Sequence, residues 1–172
     1  MQRKPEAETG SKEQSAYEKY LLETLNKEKQ TVLSQPHRNG STSQLRASAL
    51  GCFVEDYECG IQCYHAGREY MIVVWKYRLA VGVPVPQWVR EEFGGSGAEM
   101  DAKTAENFAD TVKNWRSTVV RCRNCLQRDG IGTYAAVEDL IFKDIKPSVA
   151  KVIKRVKHIL HELAIELGKF PY

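Results

Sequence analysis

Apolar residues recur along most of this chain at intervals of three and four, the spacing of one face of a helix. Tyr17, Leu21, Leu25 and Val32 form the first such stripe, beginning near Ser15. Leu50, Val54, Tyr57, Ile61 and Tyr64 form the second, and Ser43 is placed to cap its start. Gly67 reads as an interruption. The run from Arg68 to Val81 then predicts a strongly apolar helix with Gly82 as its C-cap. Its Met71–Trp75 core is β-branched enough to suit a strand, but the charged flanks keep the apolar residues on a wide stripe without alternation, so helix is the reading.

Pro84 and Pro86 forbid a helix before Pro86, which itself suits the first turn of a short new one, with Trp88 as its anchor in the core. Gly94–Gly97 breaks the chain again, as a flexible hinge. Phe108, Val112, Trp115, Val119, Cys122 and Leu126 then give the cleanest periodicity of all, a long helix from about Asp101 to Gln127. Gly130 and Gly132 close it. A helix from about Tyr134 to Phe142, a turn over Lys143–Pro147 and a last helix from Ser148 to Leu167 complete the chain. Val149, Val152, Val156, Ile159 or Leu160, and Leu163 make the stripe that the last helix buries. The expected fold is all-α, a compact bundle of about six helices over residues 43–172. Residues 1–42, a polar lead, an accessory helix and the QPHRNGSTS linker, read as a flexible N-terminal arm.

Composition narrows the class without naming a function. The 172 residues are 42% hydrophobic and 27% charged, the balance of a globular domain long enough to bury a core. No window approaches the roughly 18 uncharged apolar residues of a membrane span, and the opening MQRKPEAETGSKEQ lacks the apolar run of an export signal. The expectation is a cytoplasmic protein that engages no membrane. Five cysteines, an odd number without an export signal, fit a reducing compartment and free thiols.

Residues 67–89, in which a helix opening after Gly67 runs into Gly82-Val-Pro84-Val-Pro86-Gln-Trp88-Val89, resemble a recurrent segment of uncharacterised small proteins of bacteria and their phages. The resemblance covers about an eighth of the chain. It implies a bacterial or phage cytosolic setting and carries no known activity. Those proteins often have a cysteine late in the helix, where Leu79 and Ala80 stand here.

On one continuous helix Cys52, Cys59 and Cys63 would share a stripe, and Cys122 and Cys125 lie one turn apart on the long helix. Two helices each offering a thiol pair, Cys59 with Cys63 and Cys122 with Cys125, have the interval of a tetrahedral zinc site. Arg121 and Arg123 beside the second pair would favour a redox thiol. Core packing is the preferred reading, because cysteine packs as a small hydrophobe and Cys122 falls on the long helix's apolar stripe. No cofactor is expected under it, and zinc is the alternative.

Charge is divided unevenly. The chain's net charge is only +3, but residues 47–100 hold four basic and seven acidic side chains, and residues 112–158 hold eleven basic and four acidic. Clustered Lys and Arg are the electrostatic footprint of nucleic-acid binding. The last two helices form a helix-turn-helix-like pair, although the turn lacks the usual glycine and is longer than the standard motif. The candidate contacts are Arg116, Arg123, Lys146, Lys151, Lys154, Arg155 and Lys157, with Ser148 capping the last helix and its N–H groups facing a phosphate. Lysine predominates and only Arg155 on that helix suits bidentate base contact, so backbone contact with little base reading is expected. The bland alternative is a solvated face of an amphipathic helix.

Catalysis finds no foothold. His37, His65, His158 and His161 are scattered, there is no HExxH, and Gly94–Gly97 lacks the lysine of a phosphate loop. The acidic trio Glu55, Asp56 and Glu58 reads as a solvated face. Two non-enzymatic readings follow. One is a small regulatory DNA-binding protein; the other is an adaptor or inhibitor whose basic face meets an acidic protein surface. The apolar Met71–Trp75 helix would also suit a homodimer contact.

Overall fold

A computed structural model describes residues 43–94 and 102–170 of the chain. The expected N-terminal helix from Ser15, the arm 1–42, most of the Gly94–Gly97 hinge and Asp101 lie outside the described residues. The chain divides at Ala47/Ser48 into two units. The described part of the first is a single 3-10 turn, Leu45–Ala47. The second holds six α-helices among its described residues: α1 (Ala49–Asp56), α2 (Ile61–Ala80), α3 (Gln87–Phe93), α4 (Ala102–Gln127), α5 (Ile131–Phe142) and α6 (Ala150–Glu166). The described fold is all-α, and the Met71–Trp75 run is helical.

Helices α2, α4 and α6 pack on one another, α5 packs against all three, and α1 lies on α2 and α5. Their shared core is aliphatic and sulfur-rich: Leu50, Phe53, Leu126, Val137, Leu140, Val156, Ile159, Leu160 and Leu163 are buried together with Cys59, Cys63, Cys122 and Cys125. Burying a large aliphatic or aromatic side chain stabilises by about 1.5–3 kcal/mol, so these residues dominate the folding energy.

Several boundaries differ from the sequence expectation, each for a local reason. The helix expected to start at Ser43 and run to Gly67 starts at Ala49, because Ser48 is the N-cap and its Oγ accepts from the Gly51 N–H at 3.1 Å. That helix also stops at Asp56. Glu58 adopts a left-handed conformation and the Cys59 N–H bonds back to the Val54 carbonyl at 3.0 Å, closing the end of α1. Gly60, at φ +84°, then turns the chain into α2. Gly67 interrupts nothing. It sits inside α2, against the Leu50 side chain of α1: a Cβ at this position would lie 2.7 Å from Leu50 Cδ2. Its lack of a side chain makes room for α1.

At the other end of α2 the Val83 N–H reaches the Arg78 carbonyl at 2.9 Å, the expected capped ending at Gly82. Pro86 stands one residue earlier than expected, as the N-cap of α3. Trp88 does not anchor α3 in the core. It is 45% exposed, meeting Trp75 edge-on at 6.2 Å, and the neighbouring Val89 is the buried residue. The long helix keeps its register but not its burial. Val119, Cys122 and Leu126 are in the core, whereas Phe108 is exposed and Val112 and Trp115 are half-buried.

Helix α5 begins three residues before Tyr134 and takes in Gly132. Ser148 does not cap α6; Val149 holds the cap position with no side-chain hydrogen bond, and at 59% exposed it falls off the buried stripe. Replacing Gly67 with valine is expected to destabilise the fold by about 1–3 kcal/mol through overpacking. Denaturant midpoints check this, and shortening Leu50 to alanine in the same chain should recover part of the loss.

Candidate nucleic-acid interface

Helix α1 has only eight residues, too few to be stable alone, so its ends depend on other parts of the chain. The Asp144 carboxylate accepts from the Ala49 N–H at 2.5 Å, placing a negative charge at the helix N-terminus. Lys146 Nζ pairs with Asp56 at 2.6 Å, and Lys157 Nζ donates to the Tyr57 carbonyl, also at 2.6 Å. Both cations therefore lie at the C-terminal end, where the macrodipole favours them. Asp144 can take this position because it adopts a left-handed conformation (φ +58°), with the following Ile145 N–H bonded to the Asp139 carbonyl. The turn between α5 and α6 thus uses an aspartate where the standard motif has glycine.

These contacts sort the predicted basic residues. Lys146 and Lys157 are held against α1. Arg123 is half-buried beside Tyr70, with its Nε buried and without a hydrogen-bond partner. Tyr70 in turn donates to Glu138 Oε1 at 3.1 Å, and Tyr134 donates to the same oxygen at 2.9 Å. A hydrogen-bonded trio, Tyr70, Tyr134 and Glu138, therefore ties α2 to α5, with Arg123 of α4 beside it. Burial, with the adjacent Glu138 charge, raises the Tyr70 pKa well above that of a free phenol, so its proton stays available for this bond. Arg116 is exposed but stands on α4, away from the cations of α6 in sequence and element.

Lys151, Lys154 and Arg155 are exposed on α6 and have no carboxylate partner among the described residues. With His158 they follow the i, i+3, i+4, i+7 spacing of one helix face, on the side away from Val156, Ile159, Leu160 and Leu163. Further along, cations and carboxylates pair off between α4 and α6: Arg121 with Glu166 at 3.5 Å, and Arg128 with Glu162 at 3.4 Å. His161 stacks on Phe170 at 4.6 Å. Beside the basic stripe, a shallow groove of about 270 Å³ runs between α5 and the α5–α6 turn. Ile145, Lys146, Val149 and Val152 line it. The sequence list omitted His158, although the stripe spacing includes it.

All five cysteines are buried as free thiols. The turn at residues 57–60 takes Cys52 and Cys59 off a common helix. Cys63 Sγ donates to the Cys59 carbonyl at 3.0 Å, one helical turn back. Cys63 feels Cys59 and Lys157, Cys59 feels Lys157, and Cys122 feels Arg121, Cys125 and the acids of α6 and α2. Among the described residues no three His, Cys, Asp or Glu side chains converge as a metal-binding group. The basic neighbours do not produce reactive thiols. Burial outweighs them, raising Cys63 to about 11 and Cys122 to about 12, with Cys59 and Cys125 raised for the same reason. No described helix is long and apolar enough to cross a membrane. Searches against models of protein families, curated proteins and solved structures return no match.

Two outcomes are expected. A thiol whose pKa is raised on folding stabilises the native state below the unfolded pKa, and that contribution is lost as pH rises through the folded value. Unfolding free energy should therefore fall between about pH 9 and pH 12, measured by urea titrations across that range. Tyr70→Phe, which removes the hydroxyl that donates to Glu138, should cost about 1–3 kcal/mol in the same assay, because it leaves a part-buried carboxylate short of a donor.

Proposed function

We propose that this chain is a non-enzymatic nucleic-acid-binding protein that grips the phosphate backbone through the outward edge of α6. The observation that carries this reading is the Lys151–Lys154–Arg155 stripe, exposed and without carboxylate partners among the described residues. Folding stability gives little reason for that stripe. The first turn of α6 contains Lys151 and no acidic residue. A cation there opposes the helix macrodipole, an effect typically worth 0.3–1 kcal/mol. The same charges suit phosphate, to which lysine binds as a point charge, and Arg155 alone has the fork for a bidentate base contact. Binding through the duplex backbone with little sequence preference fits that composition. A regulatory role in a bacterial or phage cytoplasm is the setting this proposal adopts from the resemblance at residues 67–89.

The second reading is an adaptor or inhibitor that meets an acidic protein surface. The exposed apolar residues beside the stripe favour it, Ile145 at 54% and Val149 at 59%, since a phosphate backbone offers them little. A fluorescence-anisotropy titration of a labelled generic duplex across a salt series separates the two. Backbone binding predicts a log K that falls linearly with log salt, with a slope that weakens by about 0.9 for each phosphate contact removed. The triple change Lys151→Ala, Lys154→Ala, Arg155→Ala should flatten the slope by about 2–3. Arg121→Ala, which removes a guanidinium already paired with Glu166, should leave it unchanged. No binding to duplex at low salt would reject the nucleic-acid reading and favour the acidic protein partner.

A further inference from the structure

The N-terminal half of α4 carries an apolar stripe that the core does not absorb. Phe108 and Trp115 lie two turns apart on it, their rings meeting edge-on at 6.4 Å. Both line a cavity of about 490 Å³ together with Lys76, Leu79 and Ala80 of α2 and Phe93, the last residue of α3. Its volume falls within the range of small-molecule sites, roughly 300–1,000 Å³. Beside the backbone of Gly94, the side chains described in its walls are aliphatic and aromatic apart from one. Lys76 Nζ stands 5.3 Å from the centre of the Phe93 ring and 6.0 Å from that of Trp115. Half-buried, it has no carboxylate partner among the described residues.

We propose that this cavity binds a small amphiphilic carboxylate, its apolar body between Phe93, Phe108 and Trp115 and its carboxylate on Lys76. The aromatic faces hold the ammonium in place through cation–π attraction. They cannot neutralise it, so its attraction for an anion remains and is screened less than at an open surface. A neutral hydrocarbon would fill the same walls and leave the cation unpaired. A cationic amphiphile would be repelled. The site is formed by α2, α3 and α4 and shares no residue with the basic stripe of α6, so it stands or falls independently of nucleic-acid binding.

Octanoate, octanol and octylammonium, titrated separately into the full-length protein, test the charge requirement by calorimetry, with Trp115 fluorescence as a second readout. Trp115→Phe identifies that residue's share of the emission. Saturable octanoate binding, about tenfold tighter than octanol and with no detectable octylammonium binding, is expected, tenfold being the effect of one modest charge-assisted contact. Lys76→Met should abolish the preference for octanoate over octanol while leaving the melting temperature near that of the parent. Phe108→Ala, at a residue 39% exposed, should weaken both ligands. Equal affinity for octanoate and octanol in the parent protein, an unchanged preference in Lys76→Met, or no saturable binding of octanoate would each overturn the proposal.

Discussion

The clamp on α1 determines how the charges of the second half of the chain are used. An eight-residue helix forms too few internal hydrogen bonds to offset its nucleation cost, so α1 exists only where other residues satisfy its ends. Asp144 does so at one end, and Lys146 and Lys157 at the other. Leu50 can then settle against Gly67, and Phe53 and Val54 join the core. All three clamping groups come from the α5–α6 turn and the first half of α6. The same short stretch therefore both builds the fold and leaves Lys151, Lys154 and Arg155 outward, because helical spacing cannot bring every lysine to one side. Lys157 follows the buried Val156 directly and reaches α1, whereas Lys154 projects away from it.

Helix α4 shows a related division of labour along its length. At 26 residues it is about 39 Å long by the rise of an α-helix, more than its shorter partners cover. Its C-terminal half meets α2, α5 and α6, and there Val119, Cys122 and Leu126 disappear from solvent. Its N-terminal half has α3 and the end of α2 nearby, and an open cavity lies between them. The aromatic stripe is continuous in sequence. What changes among the described residues is the supply of packing partners, and large side chains only partly covered by them can serve a ligand.

Helical class and the existence of most elements were legible in the three–four spacing, because amphipathic burial is a one-dimensional signal. Caps were less so. Ser43 and Ser48 are equally good capping residues by type, and the choice fell to the one whose hydroxyl reaches the Gly51 N–H. Gly67 illustrates a deeper ambiguity. A glycine inside a helical pattern signals either a break or a close approach, and only the position of Leu50 decides between them. For the basic cluster, counting charge located the region, but it could not tell that Arg123 faces Tyr70 or that Lys146 meets a residue 90 positions earlier. Long-range pairing has no periodicity. Only the outward i, i+3, i+4, i+7 stripe on α6 could have been separated from the rest by wheel geometry alone.

The distribution of acids completes the electrostatic argument. Glu162 and Glu166 lie in the C-terminal part of α6, the end where the macrodipole disfavours them, and each is compensated by an arginine of α4. The N-terminal part has the opposite mismatch, with Lys151 at the positive end of the dipole, and among the described residues no carboxylate compensates Lys151, Lys154 or Arg155. Exposed ion pairs of this kind contribute little to stability, typically 0–1 kcal/mol, so neither arrangement is needed to keep α6 folded. The asymmetry matters instead for the field the helix projects. One end is neutralised locally and the other is left positive, with neighbouring cations raising the local potential for an approaching anion. A solvated lysine face would tolerate interspersed glutamates at no cost to folding, and in that first turn of α6 they would improve it.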